Sequence, residues 1–593
     1  MQSKRIPLLI TAALLFLFYS CRKNYSDEQY IENNPPIKPD LSVKINATVT
    51  GFIIDESGNP VSGARVAAGT KETLSDEYGY FAIPNTSVAK TAGFVKVSKT
   101  GFFTGYKTFT TKEDKETFVR IKMLTQTETG TVDAGSGGTV TTTDGGKITL
   151  PAGGVVIAST NSAYTGAIKV SGRLLDITGT DDFQLTIPGD SRGIDTSGHL
   201  KFIKSYASIA VELTGTAGEK LQIAAGKKAN LTIPIASSLV GSAPGSITLW
   251  SFDETNGLWK QESVAIKTGN DYVGTVSHFS FWSGATGVPL VNFSARILDA
   301  SLQPLANTPV VITQANQPQQ AGYGKFGFTD ANGFITGAIM ANTNFVLDIL
   351  TPCAISAYSH NFSTSNSDID LGALTGNLGQ NVVNISGSAT KCNGQPVTNG
   401  YVQTYDNGFY NRINITNGNF SFTGLACTNT VVKYVVVDND AHQQNTPQSL
   451  TLVPGVNNLG PLSACGTSTI GVITLIINGV TTTYTEPLDT LAAYFVSPGS
   501  WTTILKLGSN PAPDITFQFD GGNAAGNNHK LNEIFSVGFT SGRAYAPAPL
   551  TVSITEYGNT GGFISGEFSG LMLDFADNSI YNIQCNFRVK RFN

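Results

Sequence analysis

The residue types that most often carry enzyme chemistry are few and scattered in this sequence of 593 residues. A zinc peptidase needs a His and a Glu close together, plus a distant His, to hold its metal. The histidines lie tens of residues apart, and none has a glutamate three positions onward: His199, His278, His360, His442 and His529. The GxSxG match at 189–193 lacks the strand-turn-helix context of a nucleophile elbow, and no paired-carboxylate motif or metal triad is present. The sequence therefore predicts a protein that is not an enzyme and holds no metal or other cofactor.

Four cysteines are close enough in sequence to form disulfides, which are permitted outside the cytoplasm. They are Cys353, Cys392, Cys427 and Cys465. Four cysteines allow three pairings. The turn at Cys392 and the strand end at Cys427 favour a Cys392–Cys427 bridge with a Cys353–Cys465 bridge, and the other pairings stay open. No CxxC spacing supports a zinc cluster, and Cys585 is expected to be unpaired within a strand.

Three other groups of residues could bind a ligand, but each has a more ordinary explanation. The Gly-rich stretch 135–138 lacks the Lys-Ser/Thr of a P-loop and fits a turn. The acids Asp181-Asp182 and 438–440 lack the calcium-loop spacing and fit solvated loops. Trp501, Tyr545 and Tyr557 could stack on sugar rings, although such aromatics are more often core or cross-strand partners. The ligand-binding residues are therefore unknown at this stage.

The composition indicates which elements position these residues. Charged residues are only 14% and the net charge is -5, so nucleic acid is not an expected partner. The 63 glycines punctuate stretches rich in Thr, Ser, Val, Ile and Asn. This mixture suits β-strands joined by tight turns. We expect an all-β protein of tandem β-sandwiches.

The N-terminus carries a targeting signal. Lys4 and Arg5 precede an apolar run, 6–18, which is shorter than the roughly 20 residues of a membrane span. The following Tyr19-Ser20-Cys21 resembles a bacterial lipoprotein signal, which implies acylation of Cys21. The alternative is a simply cleaved signal followed by a structural cysteine. A polar, Pro-containing tether comes next, and its acids Asp27-Glu28 resemble the surface-export signal of some Gram-negative lipoproteins.

One pattern occurs three times along the chain: a strand, a turn with Pro, a second strand, and a (T/S)(D/N)xxG(F/Y) turn. Repeats of about 80–90 residues are each large enough for their own core, so they indicate beads on a string. They resemble the carboxypeptidase regulatory-like family, which implies a transthyretin-like (Ig-like) β-sandwich and no peptidase activity. The matching residues of the first repeat are Gly51, Gly58, Pro60, Gly63, Ala64, Val66, Asp76, Gly79 and Phe81. Those of the second are Pro304, Asn307, Val310, Thr329, Asp330, Gly333 and Phe334. Those of the third are Gly387, Gly394, Pro396, Gly400, Val402, Gly418 and Phe420.

The segment between the first two repeats differs from them. Its opening GG…ITLPAGGV and closing VSHFSFW resemble the ZU-type domain of netrin receptors and ankyrins. The tripeptide His278-Phe279-Ser280 resembles the HFS sequence at which some ZU-type domains cut themselves, so self-cleavage is one of two interpretations of this segment. Ser280 Oγ would attack the Phe279 carbonyl, and His278 would act as general base. The alternative is an ordinary strand in which these residues alternate.

These observations predict how the chain is divided into domains. We expect a signal peptide at 1–20, a tether at 21–42, and three regulatory-like sandwiches at 43–126, 288–378 and 379–467. A ZU-type-like domain is expected at 127–287, and a C-terminal β domain at 468–593. The expected function is non-enzymatic: a lipid-anchored outer-membrane protein, exposed at the cell surface, serving as a β stalk for adhesion or partner binding. The alternatives are a glycan-binding accessory lipoprotein of an uptake system and a protein that cleaves itself at Phe279-Ser280.

Overall fold

The structure is a computed structural model. It describes residues 39–111, 113–177, 184–315, 325–375, 378, 381–405, 409–427, 429–486, 488–496, 501–507, 514–559 and 561–592. The predicted fold class, all-β with tandem β-sandwiches, is confirmed. A short 3-10 helix spans Ser237–Leu239. Among the described residues, no helix combines the length and the apolar composition needed to cross a bilayer.

The first repeat is built from two facing sheets, with strand orders β4-β1-β7 and β3-β2-β5-β6. Its strands are β1 (Lys44–Ile54), β2 (Arg65–Ala68), β3 (Lys71–Leu74), β4 (Tyr80–Ala89), β5 (Gly93–Ser98), β6 (Gly105–Phe109) and β7 (Glu116–Lys122). The central strand β1 runs antiparallel to β4 and parallel to β7. Side chains such as Val49, Ile53, Val66 and Val97 fill the core between the sheets.

The second repeat has the same topology, with strand orders β24-β21-β27 and β23-β22-β25-β26. Its strands are β21 (Leu290–Leu298), β22 (Pro309–Gln314), β23 (Lys325–Phe328), β24 (Phe334–Met340), β25 (Asn344–Leu350), β26 (Ser356–Ser363) and β27 (Ile369–Thr375). The parallel pair is now β21 with β27.

The third repeat follows the same plan, with β31-β28-β35 as its three-stranded sheet and β28 parallel to β35. The facing sheet has the order β30-β29-β32-β33-β36, and β34 pairs with β32. The strands are β28 (Val382–Thr390), β29 (Gly400–Tyr405), β30 (Asn411–Ile415), β31 (Asn419–Leu425), β32 (Val431–Asp438), β33 (Gln443–Gln444), β34 (Gln448–Thr451), β35 (Gly455–Ser463) and β36 (Thr467–Ser468).

The turn after the first strand of the first repeat shows why its sequence folds this way. Asp55 Oδ1 accepts hydrogen bonds from the backbone N–H groups of Ser57 and Asn59. Gly58 adopts a φ of 83°, a left-handed conformation that glycine reaches without strain. Pro60 then forms an isolated bridge to Ile54. The equivalent bridges in the other repeats join Leu298 to Pro304 and Thr390 to Pro396, so the turn chemistry recurs with the topology.

The segment between the first and second repeats forms one large sheet, hereafter the large sheet, of 13 strands within the described residues. Its strands are β8 (Gly130–Asp133), β9 (Gly138–Thr141), β10 (Lys147–Leu150), β11 (Val155–Ile157), β12 (Ala167–Leu174), β13 (Arg192–Ile194), β14 (Leu200–Thr214), β15 (Lys220–Ile223), β16 (Ala229–Pro234), β17 (Ser246–Asp253), β18 (Leu258–Thr268), β19 (Asp271–Val276) and β20 (Phe281–Val288). Its core holds three fully buried tryptophans, Trp250, Trp259 and Trp282.

The C-terminal part forms a further antiparallel sheet, hereafter the C-terminal sheet, with strand order β38-β37-β45-β44-β43-β42-β41-β40-β39. The strands are β37 (Val472–Ile477), β38 (Val480–Thr485), β39 (Thr490–Val496), β40 (Trp501–Leu507), β41 (Ile515–Asp520), β42 (Gly526–Ser536), β43 (Arg543–Tyr557), β44 (Phe563–Asp574) and β45 (Ile580–Lys590). The sheet curls, because Ala493 of β39 bridges Arg591 just beyond β45.

The units do not lie along a line as independent beads, which is a difference from the arrangement that the repeat lengths suggest. The first repeat contacts the large sheet, the second repeat, the third repeat and the C-terminal sheet. The contacts include Glu56 with Arg173, Arg120 with Phe328, Asp76 with Arg412 and Ser62 with Gly561. The physical reason lies in β1, which carries apolar side chains on both faces, so that its outer residue Phe52 is fully buried.

Candidate functional site at Phe279 and Ser280

The segment His278-Phe279-Ser280 lies in a bend between β19 and β20, two strands of the large sheet. The alternative in which these residues continue an ordinary strand is therefore wrong, because β19 ends at Val276 and β20 begins at Phe281. Phe279 and Ser280 are buried. The bend thus places the Phe279-Ser280 peptide bond and a serine hydroxyl inside the protein, where the Ser280 carbonyl oxygen accepts a hydrogen bond from the Val211 N–H of β14 at 3.1 Å.

The side-chain amide of Gln222, in β15, forms hydrogen bonds with both the N–H and the carbonyl oxygen of Phe279. Gln222 Oε1 accepts a hydrogen bond from the Phe279 N–H at 2.8 Å. Gln222 Nε2 donates to the Phe279 carbonyl oxygen, also at 2.8 Å. This carbonyl belongs to the Phe279-Ser280 peptide bond. An amide donor at that position stabilises negative charge that develops on the oxygen during a nucleophilic attack.

The hydroxyl of Ser280 is bound by a carboxylate. Ser280 Oγ donates to Glu254 Oε1 at 3.1 Å, and the Phe252 carbonyl oxygen lies 3.4 Å away. Glu254 immediately follows β17. A carboxylate that accepts a hydrogen bond from a serine hydroxyl can take its proton as the oxygen attacks. The arrangement therefore pairs a nucleophile with a base and an electrophilic carbonyl with a donor.

His278 faces a different carboxylate. Its Nε2 lies 3.2 Å from Glu262 Oε2, and its ring centroid lies 5.1 Å from that of Trp282. The hydrogen bond with His278 is the main cause that lowers the pKa of Glu262 to about 2. Within the described ranges, no hydrogen bond joins His278 to Ser280. The sequence suggested His278 as the general base for Ser280. In the structure, Glu254 is the group that lies at hydrogen-bonding distance from the Ser280 hydroxyl.

Gln222, Glu254 and Glu262 are partners of this segment that sequence patterns do not indicate. Gln222 is 57 residues before Phe279 in sequence, and Glu254 is 26 residues before Ser280. Only the pairing of β14 with both β15 and β20, and of β17 with β20, brings them to the bend. The spacing of these polar residues gives no signal of that pairing.

The four cysteines form two disulfides, but the predicted pairing is wrong. The bonds join Cys353 to Cys427 and Cys392 to Cys465. The parallel pairing of β28 with β35 aligns Thr390 with Ser463, so Cys392 and Cys465, two residues further on, leave the sheet side by side. Cys353 lies in the turn between β25 and β26 and connects the second repeat to the end of β31.

Cys585 is a free, buried thiol in β45, as predicted. Burial raises the pKa of the Cys585 thiol well above its usual range. Cys585 is part of the apolar core of the C-terminal sheet.

The carboxylates of the acidic segment 438–440 are bound by other side chains of the protein. Lys391 Nζ lies 3.1 Å from Asp440 Oδ2, and Asn399 Nδ2 donates to Asp440 Oδ1 at 2.8 Å. Asp438 Oδ1 lies 3.8 Å from the same lysine. Throughout the described ranges, no group of three or more His, Cys, Asp or Glu side chains is arranged to hold a metal ion. The pair Asp181-Asp182 lies outside the described residues.

The aromatic side chains of the C-terminal sheet make contacts within the protein. Tyr545 donates to Asn578 Oδ1 at 2.8 Å, and its ring packs on Phe575 at 4.9 Å. The hydroxyls of Tyr557 and Thr502 are 2.6 Å apart. Trp501, at the start of β40, is 37% exposed.

The Gly-rich stretch 135–138 is a turn that leads from β8 into β9. Cys21 and residues 22–38 of the tether lie outside the described residues.

Comparison with known proteins identifies no family: no family model matches the sequence, and no curated protein matches it. Solved structures show distant likeness. The minor pilin GBS52 of Streptococcus agalactiae is 10% identical, with 30% of this chain and 97% of that chain covered and a TM-score of 0.15. A mutant of the shaft pilin of Lactobacillus rhamnosus GG is 9% identical, with 31% and 99% covered and a TM-score of 0.17. The major pilin subunit of Bacillus cereus is 8% identical, with 56% and 99% covered and a TM-score of 0.13.

Proposed function

We propose that this chain is a non-enzymatic, lipid-anchored protein of the cell surface that presents its β-sandwiches to a binding partner. The observation that carries this proposal is the central position of the first repeat. Its outer face packs against the third repeat through Arg412, whose guanidinium carbon lies 3.7 Å from the ring centroid of Tyr80. Tyr410 of the third repeat donates to the Gly58 carbonyl oxygen at 2.9 Å. Such contacts favour a rigid array in which loops keep fixed relative positions, as a presenting scaffold requires.

The lipid attachment is proposed from the signal that ends at Cys21. Acylation of a cysteine after a short apolar signal holds a protein at a membrane without a spanning helix. The strand order that recurs in the three repeats supports the regulatory-like resemblance, and the ZU-type resemblance is proposed from the sequence at the two ends of its segment. None of these families requires a catalytic centre.

The experiment that tests this proposal has two arms. In the first, protease is added to intact and to lysed cells, and a surface protein is degraded in both, whereas a protein facing inward is degraded only after lysis. In the second, Cys21→Ala is compared with Cys585→Ala. We expect only the first substitution to move the protein out of the membrane pellet. Retention of the Cys21→Ala variant in the membrane would contradict the anchor.

Self-cleavage between Phe279 and Ser280 is a second candidate, and a specific observation favours it. Gln222 Nε2 lies on the carbonyl oxygen of the bond to be cut, and Glu254 lies on the hydroxyl that would attack it. Transfer of the Phe279 acyl group from nitrogen to Ser280 Oγ forms an ester and frees the Ser280 amine. Water then hydrolyses the ester, which leaves a carboxylate on Phe279 and restores the hydroxyl.

A denaturing gel of the purified protein tests this candidate. Two fragments meeting between Phe279 and Ser280, which disappear in Ser280→Ala, would support it. Intact mass would locate the new termini. A single full-length band after prolonged incubation would rule it out and leave the binding role unaffected.

A further inference from the structure

Arg120 occupies an unusual position on the outer face of the first repeat. Its neighbours in β7, Val119 and Ile121, point into the core of the repeat, so Arg120 projects to the other side. There its guanidinium carbon lies 4.3 Å from the ring centroid of Phe328, in the second repeat, and 5.9 Å from that of Tyr410, in the third. The side chain therefore sits where three repeats meet.

The guanidinium of Arg120 has aromatic neighbours but, in the part of the chain that the structure describes, no hydrogen-bond acceptor. Its Nε is buried without a hydrogen-bond partner. Across the described ranges, no carboxylate or carbonyl oxygen accepts a hydrogen bond from the group. Burial lowers the pKa of Arg120 to about 10, so the group remains cationic at neutral pH. A partly buried cation without an acceptor costs free energy, and native structures generally supply one.

Arg412, on the same interface, shows what such an arginine requires. Arg412 Nη2 binds Asp76 Oδ2 at 2.5 Å, and its Nε donates to Gln403 Oε1 at 2.9 Å. Both arginines contact aromatic rings, yet only Arg412 has a carboxylate. Among the described residues, Arg120 therefore lacks the acceptor that Arg412 has, and an anionic ligand would supply one.

The space beside Arg120 is large enough for such a ligand. Arg120 lines a cavity of about 540 Å³ between the first and second repeats. Phenylalanine and short hydroxyl side chains share the walls, and they include Phe118, Phe328, Phe334, Thr117, Ser294 and Thr336. Apolar ring faces beside hydrogen-bonding hydroxyls suit a sugar, which has an apolar face and a rim of hydroxyl groups.

Acids at the wall of the cavity do not neutralise Arg120. Asp330 Oδ1 accepts hydrogen bonds from the backbone N–H groups of Asn332 and Phe334 in its own turn. Asp370 Oδ1 accepts a hydrogen bond from Ser294 Oγ at 2.8 Å. Glu116 Oε1 accepts a hydrogen bond from Thr50 Oγ1 at 2.6 Å, and Asp190 pairs with Arg192 at 2.8 Å. Each carboxylate at the wall of the cavity therefore has a partner other than Arg120.

We propose that this cavity binds an acidic oligosaccharide, with a uronate carboxylate paired to Arg120 and a sugar ring packed against Phe328. The pairing is of the bidentate guanidinium–carboxylate kind, which gives orientation as well as affinity. The inference deepens the partner-binding role proposed above and rests on it.

Isothermal titration calorimetry of the purified full-length protein tests the site. The probes are tetragalacturonate and tetraglucuronate, with maltotetraose as the neutral sugar and tetraglutamate as an acidic peptide, all at physiological salt. We expect saturable binding of at least one uronate. We expect Arg120→Met to weaken it roughly tenfold or more, since hydrogen bonds to a charged group are lost. Arg65→Met, which removes an exposed arginine paired with Glu72, is the matched control and should bind normally.

The possible results separate clearly. No saturable binding of either uronate, equal binding by the Arg120→Met variant, or preference for maltotetraose or tetraglutamate would each overturn the site. Melting temperatures of the variants show that loss of binding is not loss of folding, and Met is suited to the aromatic surroundings. Binding is measured on purified protein, whereas protease treatment of intact cells measures location, so the two proposals can fail separately.

Discussion

Arg412 and Asp76, which are 336 residues apart in sequence, form an ion pair that joins the third repeat to the first. The Arg412 guanidinium also lies between two tyrosine rings, with its carbon 3.7 Å from the centroid of Tyr80 and 3.8 Å from that of Tyr401. Asp76 simultaneously accepts hydrogen bonds from the backbone N–H groups of Tyr78 and Tyr80. One carboxylate therefore fixes a turn of the first repeat and also binds the third repeat.

We predict that Arg412→Ala weakens the contact between these repeats. The substitution removes the ion pair and both cation–π contacts, and it leaves Asp76 without its cation. We expect the free energy of unfolding to fall by about 3 kcal/mol. This value is at the lower end of the range for buried ion pairs, because the Asp76 side chain is 33% exposed. Differential scanning calorimetry should show an earlier transition or a separate one. The control is Arg65→Ala, which breaks an exposed pair and should leave the thermogram almost unchanged. An unchanged thermogram for Arg412→Ala would contradict the prediction.

Glu77 makes the contact between the first repeat and the C-terminal sheet sensitive to pH. Burial raises the pKa of Glu77 from 4.5 to about 7. Arg588 lies 4.0 Å away and opposes this shift only in part, because it also binds Glu556 at 3.0 Å. The folded state therefore binds more protons than the unfolded state between pH 4.5 and about 7. The contribution of Glu77 to stability is most favourable below pH 4.5 and falls as the pH rises to about 7.

We predict that Glu77→Gln removes this pH dependence. Between pH 5 and pH 7.5, the melting temperature of the variant should fall less than that of the unsubstituted protein. The difference in the free energy of unfolding should be about 3 kcal/mol at most. The control is Glu72→Gln, whose exposed side chain should leave the slope unchanged. If Glu77→Gln and the unsubstituted protein lose stability in parallel over this range, Glu77 is not the group responsible.

The fold class could be predicted from the sequence because strand alternation and turn chemistry are local. The Asp55 turn and the bridge at Pro60 have counterparts in all three repeats. The packing of the repeats on one another was not predicted. Its signal is present in β1, where Phe52 and Ile53 are adjacent, so that apolar side chains point to both faces of the sheet. A strand that is buried on both faces needs a cover on each side.

The site could be predicted only in its contiguous part. Ser280 and the carbonyl of Phe279 could be recognised because they are adjacent in a short segment. Gln222 and Glu254 reach that segment through strand pairing over long distances, which single-sequence patterns do not encode. The disulfide pairing failed for the same reason, since it depends on the parallel alignment of β28 and β35.

The Cys392–Cys465 disulfide should stabilise the third repeat substantially. It closes a loop with a sequence separation of 73, for which the chain-entropy model gives about 4 kcal/mol. We predict that the double substitution Cys392→Ser and Cys465→Ser lowers the melting transition of this repeat. Peptide mapping without reduction should recover a Cys392–Cys465 peptide and a Cys353–Cys427 peptide. Recovery of a Cys392–Cys427 peptide would contradict the structure.

The two hydrogen bonds of Gln222 can be separated by substitution. Gln222→Leu removes both hydrogen bonds and leaves two backbone groups of Phe279 without a partner. Because Phe279 is buried, we expect the free energy of unfolding to fall by about 2–4 kcal/mol. Gln222→Glu keeps an acceptor for the Phe279 N–H but places a carboxylate against the carbonyl oxygen. The self-cleavage candidate therefore predicts that Gln222→Glu reduces fragment formation about 100-fold or more, as loss of an oxyanion donor does. Fragment yield is measured on denaturing gels against time, with circular dichroism to confirm folding. If folded Gln222→Glu protein were cut at the unsubstituted rate, the amide would have a purely structural role at this bend.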